Sequence, residues 1–127
     1  MRCDVLDVPA RFDGTADLVY TGRGALNWLH DIHGWAAVIA RLLGPGGTVS
    51  IFDGHPLTWL FDPDAATLVP VGISYLDHAE TSQGWPQEYI GDLGLSNEEL
   101  AFHEERAWPP SAVFTALRGA GLVVEYW

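Results

Sequence analysis

The sequence predicts an α/β fold with a mostly parallel sheet. A strand–helix–strand unit between Asp17 and Asp53, loops that meet at one end of that sheet, and enough apolar residues for one packed domain predict it. Asp17-Leu18-Val19-Tyr20 is a short apolar run closed by Thr21-Gly22-Arg23-Gly24, which reads as a buried strand entering a loop. Asp31 offers an N-cap oxygen, and behind it Trp35, Val38, Ile39, Leu42 and Leu43 share one helical face. Gly44 is expected in the left-handed C-terminal position, with Pro45 stopping propagation. Gly46-Gly47 then turns the chain into a second strand, Thr48 to Asp53. A strand, a helix and a strand this close in sequence form a βαβ unit, so the two strands are expected parallel with a right-handed crossover.

The flanking regions are less regular. Leu68 to Leu76 and roughly Glu99 to Trp108 are strand-like and suit an antiparallel excursion from the sheet. Pro109-Pro110-Ser111 opens a helix whose apolar face is Val113, Phe114 and Leu117, ended by Gly119 and Gly121. Leu122 to Trp127 reads as a last strand with no polar tail, and Cys3 to Pro9 as the exit of a strand. Both ends therefore read as those of a fragment.

Composition narrows the function. The 127 residues fit a single domain spanning 1–127, 48 % apolar and 18 % charged. Six Lys+Arg against 17 Asp+Glu give a net charge of −11, which argues against nucleic acid and anionic membranes as partners. The longest apolar stretch, Trp35 to Leu43, is broken by Arg41 and falls short of the roughly 20 residues of a membrane span. Asp4 and Asp7 stand where a signal peptide would need an apolar run, and Cys3 is alone. A cytoplasmic location is expected.

Parallel α/β sheets bind ligands beyond the carboxyl ends of their strands. Here those ends are Asp4 to Leu6, Tyr20 to Gly24 and Asp53 to Pro56. Asp4 suits a ligand amino group, Gly22 and Gly24 permit close approach to the backbone, and Tyr20 and Trp28 offer faces for a cation or flat ring. Gly22-Arg23-Gly24 is not a dinucleotide fingerprint, because Asn27 stands where the third small residue belongs.

Four segments in order resemble the middle and C-terminal part of class I S-adenosylmethionine-dependent methyltransferases. They are Cys3-Asp4-Val5-Leu6-Asp7-Val8-Pro9, Ala16 to Leu29, Leu42-Leu43-Gly44-Pro45-Gly46-Gly47 running into Phe52, and His103 to Leu122. Asp53-Gly54-His55-Pro56 resembles the loop that follows the third of these, and Leu57 to Ala101 is the least matched part. The resemblance implies a partial Rossmann-like three-layer core with S-adenosyl-L-methionine as cofactor. It implies that Asp4, with Val5 beside it, meets the adenine amino group and that Tyr20, Thr21 and Gly22 lie beneath the methionine part. By the same resemblance Trp28 lies near cofactor or substrate and His55 faces the substrate.

The family's Gly-x-Gly-x-Gly loop and the acidic residue that holds the ribose have no counterpart in this sequence. A full core of seven strands and six helices needs roughly 160 residues, so a truncated methyltransferase segment lacking the first two strands and the last one is expected. Methyl transfer needs mainly in-line positioning of an acceptor, and no catalytic base is named by the sequence. Other chemistries find little support. His30 and His33 around Asp31 are explained as surface residues of a helix N-terminus, so no metal is expected, and His55, His78 and His103 show no ligand spacing. Asp62-Pro63-Asp64 reads as a turn without the calcium-loop pattern, and Ser50 and Ser111 lack a nucleophile elbow. The tryptophans do not outline a sugar site, and Glu98-Glu99 and Glu104-Glu105 read as solvated faces.

The expected function is S-adenosylmethionine-dependent methyl transfer to a small-molecule acceptor, carried by an incomplete domain. The alternative is a non-catalytic remnant whose exposed sheet edge pairs with a second copy, as a homodimer, or with a partner chain.

Overall fold

The Asp31 carboxylate accepts a 2.8 Å hydrogen bond from the Gly34 amide and so starts the first helix where the sequence places it. This and the following geometry come from a computed structural model, which describes residues 2–84, 91 and 94–126. Along the chain run β1 (Ala16–Gly22), α1 (Ile32–Leu42), β2 (Leu43–Phe52), β3 (His78–Gln83), β4 (Phe102–Ala107) and α2 (Pro110–Gly119). Short 3-10 turns occupy Val5–Asp7, Ala10–Phe12, Leu26–Trp28, Pro56–Leu60 and Asn97–Glu99.

β1 and β2 pair in parallel, with Val19 beside Val49 and Thr21 beside Ile51. Ala16 faces Leu43 but Leu18 faces Thr48, so Gly44–Gly47 bulges from the ladder. The left-handed position falls on Gly46 at φ 80° and not on Gly44 as expected. Gly44 is required for another reason: a Cβ there would stand 2.9 Å from the Gly14 carbonyl oxygen. The helix needs no left-handed cap because Leu43 leaves it directly into extended backbone.

Alternation along the strands then decides what is covered. Val19, Val49 and Ile51 turn toward a cluster formed by Trp35, Ala36 and Ile39 of α1 with Val113, Ala116 and Leu117 of α2. Leu18, Tyr20 and Phe52 point the other way and are 61, 58 and 67 % exposed. The described residues therefore make two layers, sheet and helices. The expected α/β class is what they form, with its strands divided between one parallel and one antiparallel pair.

α2 begins behind Pro109 with Pro110 in its first turn, where the missing amide costs nothing. Gly121 at φ 86° ends it, as the Gly121 amide reaches the Arg118 carbonyl and the Leu122 amide reaches that of Leu117. Leu122 and Val124 pack against the core, yet Leu122 to Tyr126 joins no ladder, so the expected last strand does not form there; Trp127 lies outside the described residues.

β3 and β4 form an antiparallel ribbon with His78 opposite Ala107 and Gln83 opposite Phe102. The antiparallel excursion is present, but the partner of β4 is His78–Gln83. The expected strand Leu68–Leu76 supplies only a bridge between Phe61 and Pro70, since Pro70 and Gly72 interrupt the run. Trp108 joins the ribbon to the βαβ unit by donating its indole N–H to the Leu29 carbonyl at 2.8 Å. The N-terminal segment also differs from its expectation. Val5–Asp7 is a 3-10 turn and not a strand exit, because Asp4 caps it. Arg41 holds this segment by pairing with Asp13 and donating to the Val8 carbonyl at 2.7 Å.

Before β4, the Glu99 carboxylate reaches back to Ser96, as in one half of a capping box. Ser96 donates from both its amide and its hydroxyl to the Glu99 carboxylate at 2.9 Å. Those donors hold the Glu99 carboxyl below its ordinary pKa, chiefly through the Ser96 amide. A depressed carboxyl favours the folded state above its unfolded pKa, and that contribution fades as pH falls through the folded value.

Two measurements check this architecture. Ile39→Ala removes a side chain that is 2 % exposed and should lower unfolding free energy by about 2–5 kcal/mol in a denaturant titration. Ser96→Ala should raise the Glu99 titration midpoint in NMR, although the Ser96 amide keeps part of the depression; an unmoved midpoint would remove the hydroxyl from the account.

Candidate functional site

The carboxyl end of β1 opens on a cavity of about 300 Å³. Val5, Tyr20, Thr21 and Gly22 line it together with Ala25, Leu29 and Trp35. Its position follows from the local chain path. β1 ends at Gly22, and the Arg23 amide bonds the Phe52 carbonyl at 2.8 Å, which turns the chain across the end of β2. Arg23 takes φ 60°, a left-handed conformation that is uncommon and mildly strained for a residue with a Cβ. Gly24 follows at φ 81°.

Asp53, just past β2, holds the next turn in place. One carboxylate oxygen accepts from the Leu26 amide at 2.9 Å and the other from the Gly54 amide at 2.7 Å. The Leu26–Trp28 turn is thereby fixed over the strand ends, with Leu26 buried in the core. Tyr20 lies over Gly22, and its ring would meet any Cβ added there.

The other expected site residues lie elsewhere. The Asp4 carboxylate is exposed and accepts from the Leu6 amide at 2.8 Å, so it caps its own turn beside Val5 and does not line the cavity. Trp28 turns its ring toward His103, with centroids 5.2 Å apart. His55 caps the Pro56–Leu60 turn, accepts from the Leu57 amide at 3.2 Å and stacks on Tyr75 at 5.9 Å. Val5, Tyr20, Thr21 and Gly22 are thus brought together, while Asp4, Trp28 and His55 stand apart from their cavity.

Sequence reasoning missed Ala25, Leu29 and Trp35 as lining residues. Trp35 belongs to the apolar helical face that the sequence shows and is 2 % exposed, yet it also lines the cavity. The reading of Glu104-Glu105 as a solvated face holds for Glu104 and fails for Glu105, whose side chain is 20 % exposed. The signal was the alternation His103-x-Glu105 on β4 and His78-x-Glu80-x-Ser82 on β3, which puts these side chains on one face.

The cavity lining can do limited chemistry. It offers apolar walls, two aromatic residues and the Tyr20–Gly22 strand end, and among the described residues no carboxylate or imidazole lines it. Among the described residues no group of three or more His, Cys, Asp or Glu side chains is placed to hold a metal ion, and no helix is long and apolar enough to cross a membrane. Comparison with protein-family models, with curated proteins and with solved structures finds no match.

Asp53→Ala would leave the buried Leu26 amide without its acceptor. The expected loss is about 1–3 kcal/mol of stability, with faster amide exchange across Gly24–Trp28. Unchanged exchange in that segment would show that Asp53 does not fix the turn.

Proposed function

We propose that this chain serves S-adenosylmethionine-dependent methyl transfer to a small-molecule acceptor, with its cofactor-side residues in the cavity at the end of β1. The observation that carries the reading is the convergence of Val5, from the N-terminal turn, with Tyr20, Thr21 and Gly22, from the end of β1, around one cavity beyond a parallel strand pair. The β1–α1–β2 unit is, in this reading, part of a Rossmann-like three-layer core. The lone exposed Cys3 suits a reducing compartment such as the cytoplasm.

The residues present suit one end of the cofactor. Tyr20 stands at the rim where a sulfonium would meet an aromatic side chain, and Val5 and Leu29 give the space beside it apolar walls. A volume of about 300 Å³ lies at the lower end of small-molecule sites, and no acidic side chain lines it to accept from ribose hydroxyls. The fit is therefore to the methionine and sulfonium portion. S-adenosylmethionine supplies a methyl group that is already activated for transfer. What this chain's residues contribute is position: Tyr20, Thr21 and Gly22 line the space at the end of β1, and the Asp53 clamp on Leu26 fixes the loop beside it. No lining side chain is suited to take a proton, so the acceptor on this reading needs none removed by the cavity itself.

A second reading has its own observation. Leu18, Tyr20 and Phe52 form an exposed apolar patch on the uncovered face of β1–β2, which favours association with another copy or a partner chain.

Calorimetric titration of the chain with S-adenosylmethionine separates the two. Methyl transfer expects a dissociation constant tighter than about 100 µM, or roughly −5.5 kcal/mol, abolished by Ala25→Trp, which fills the cavity. No heat at millimolar ligand would overturn that reading. Sedimentation that shows a dimer in the parent chain and a monomer in Phe52→Asp would favour the association reading instead.

A further inference from the structure

A second concavity lies against one face of the β3–β4 ribbon and shares no lining residue with the first. Its volume is about 340 Å³. Trp59, Phe61, Val71 and Ile73 make an apolar wall, and His78, Glu80 and Glu105 stand at the ribbon side.

The ladder register decides the chemistry of that side. His78, Glu80 and Ser82 alternate on one face of β3, and Ala107, Glu105 and His103 stand directly across from them. Glu80 and Glu105 are therefore cross-strand partners, an arrangement that destabilises a sheet when both are charged. The chain holds six arginines and no lysine, and among the described residues no arginine pairs with either carboxylate. Their near neighbours are histidines. His78 Nε2 lies 3.4 Å from Glu80, and His103 Nε2 lies 3.3 Å from Glu105. His78 Nε2 is buried without a hydrogen bond, its contact with Glu80 being an ion-pair approach outside hydrogen-bond geometry.

The cluster is not a nucleophile relay. The Ser82 hydroxyl meets His103 Nε2 at 2.7 Å, and Glu105 faces the same nitrogen, whereas a relay needs the carboxylate on the opposite ring nitrogen. Nor does it offer a bare metal ion the donor set it requires. A hydrogen-bond donor with a positive charge meets neither obstacle. An ammonium carries three donors and asks only for acceptors, which two facing carboxylates supply.

We propose that this cleft binds a small primary organic ammonium ion with an apolar, aromatic body. The ammonium sits between Glu80 and Glu105, and the body lies against Trp59 and the Val71–Ile73 wall. The net charge of −11 draws such a cation toward the chain. The proposal is independent of methyl transfer and of sheet-face association.

Calorimetry on the full chain tests it with 2-phenylethylammonium, its neutral isostere 2-phenylethanol and the anion phenylacetate. The ammonium should bind at least tenfold tighter than the alcohol, and phenylacetate should not bind. Glu80→Gln and Glu105→Gln should each weaken the ammonium at least fivefold, whereas Glu98→Gln, which removes the same charge from an exposed turn, should not. Equal binding of ammonium and alcohol, or an equal loss in Glu98→Gln, would overturn the proposal. Absence of ammonium binding at tens of millimolar would also overturn it and leave the histidines as the carboxylates' sufficient partners. The isostere comparison uses the unaltered chain, so it decides even if a variant does not fold.

Discussion

The seam between α1 and α2 is the constraint on which the other parts depend. Trp35, Ala36 and Ile39 meet Val113, Ala116 and Leu117 there, and the inward side chains of β1 and β2 close on the same cluster. A two-stranded parallel sheet has little stability of its own, because half its side chains need a covering surface. The helix of the βαβ unit packs on that face, and α2 packs against the helix at the same cluster. A helix that arrives late in the chain therefore completes the core on which the strand pair rests. Trp108 reinforces this geometry by bonding the Leu29 carbonyl across 79 residues.

Local chemistry made some of the fold legible before any coordinates. Asp31 is a good N-cap, the spacing Trp35, Val38, Ile39 has one helical solution, and Pro-Gly-Gly leaves few paths into the next strand. These signals act within a few residues. The partner of β4 was not legible, because pairing depends on which distant segment lacks interruptions: Pro70 and Gly72 break one candidate, and His78–Gln83 runs clean. The N-terminal turn was misread for the opposite reason. Asp4 followed by two apolar residues suits the end of a strand or a capped turn equally well, and the cap prevails once Arg41 draws Val8 toward the end of α1.

The candidate sites show the same division. Tyr20, Thr21 and Gly22 follow from a strand end that the sequence announces, whereas Leu29 and Trp35 join them only through packing. Glu80 and Glu105 lie far apart in sequence and in unlike surroundings, and only the register makes them neighbours. The two concavities differ accordingly. One is apolar and aromatic, with no carboxylate or imidazole among the described residues that line it, and the other sets two carboxylates against an aromatic wall. An acidic chain without lysine leaves that charge uncompensated by the long flexible cations that most surfaces use.

The late arrival of α2 also shapes how the chain emerges from a ribosome. The contacts within β1–α1–β2 are complete in sequence once Phe52 has been made, yet Val113 and Leu117 follow only roughly sixty residues later, or on the order of three to thirteen seconds at ordinary elongation rates. Over that interval the part of the α1 face that meets Val113, Ala116 and Leu117 has no partner in a nascent chain. Holdase chaperones recognise such a surface, and rare codons between β2 and α2 would lengthen its exposure.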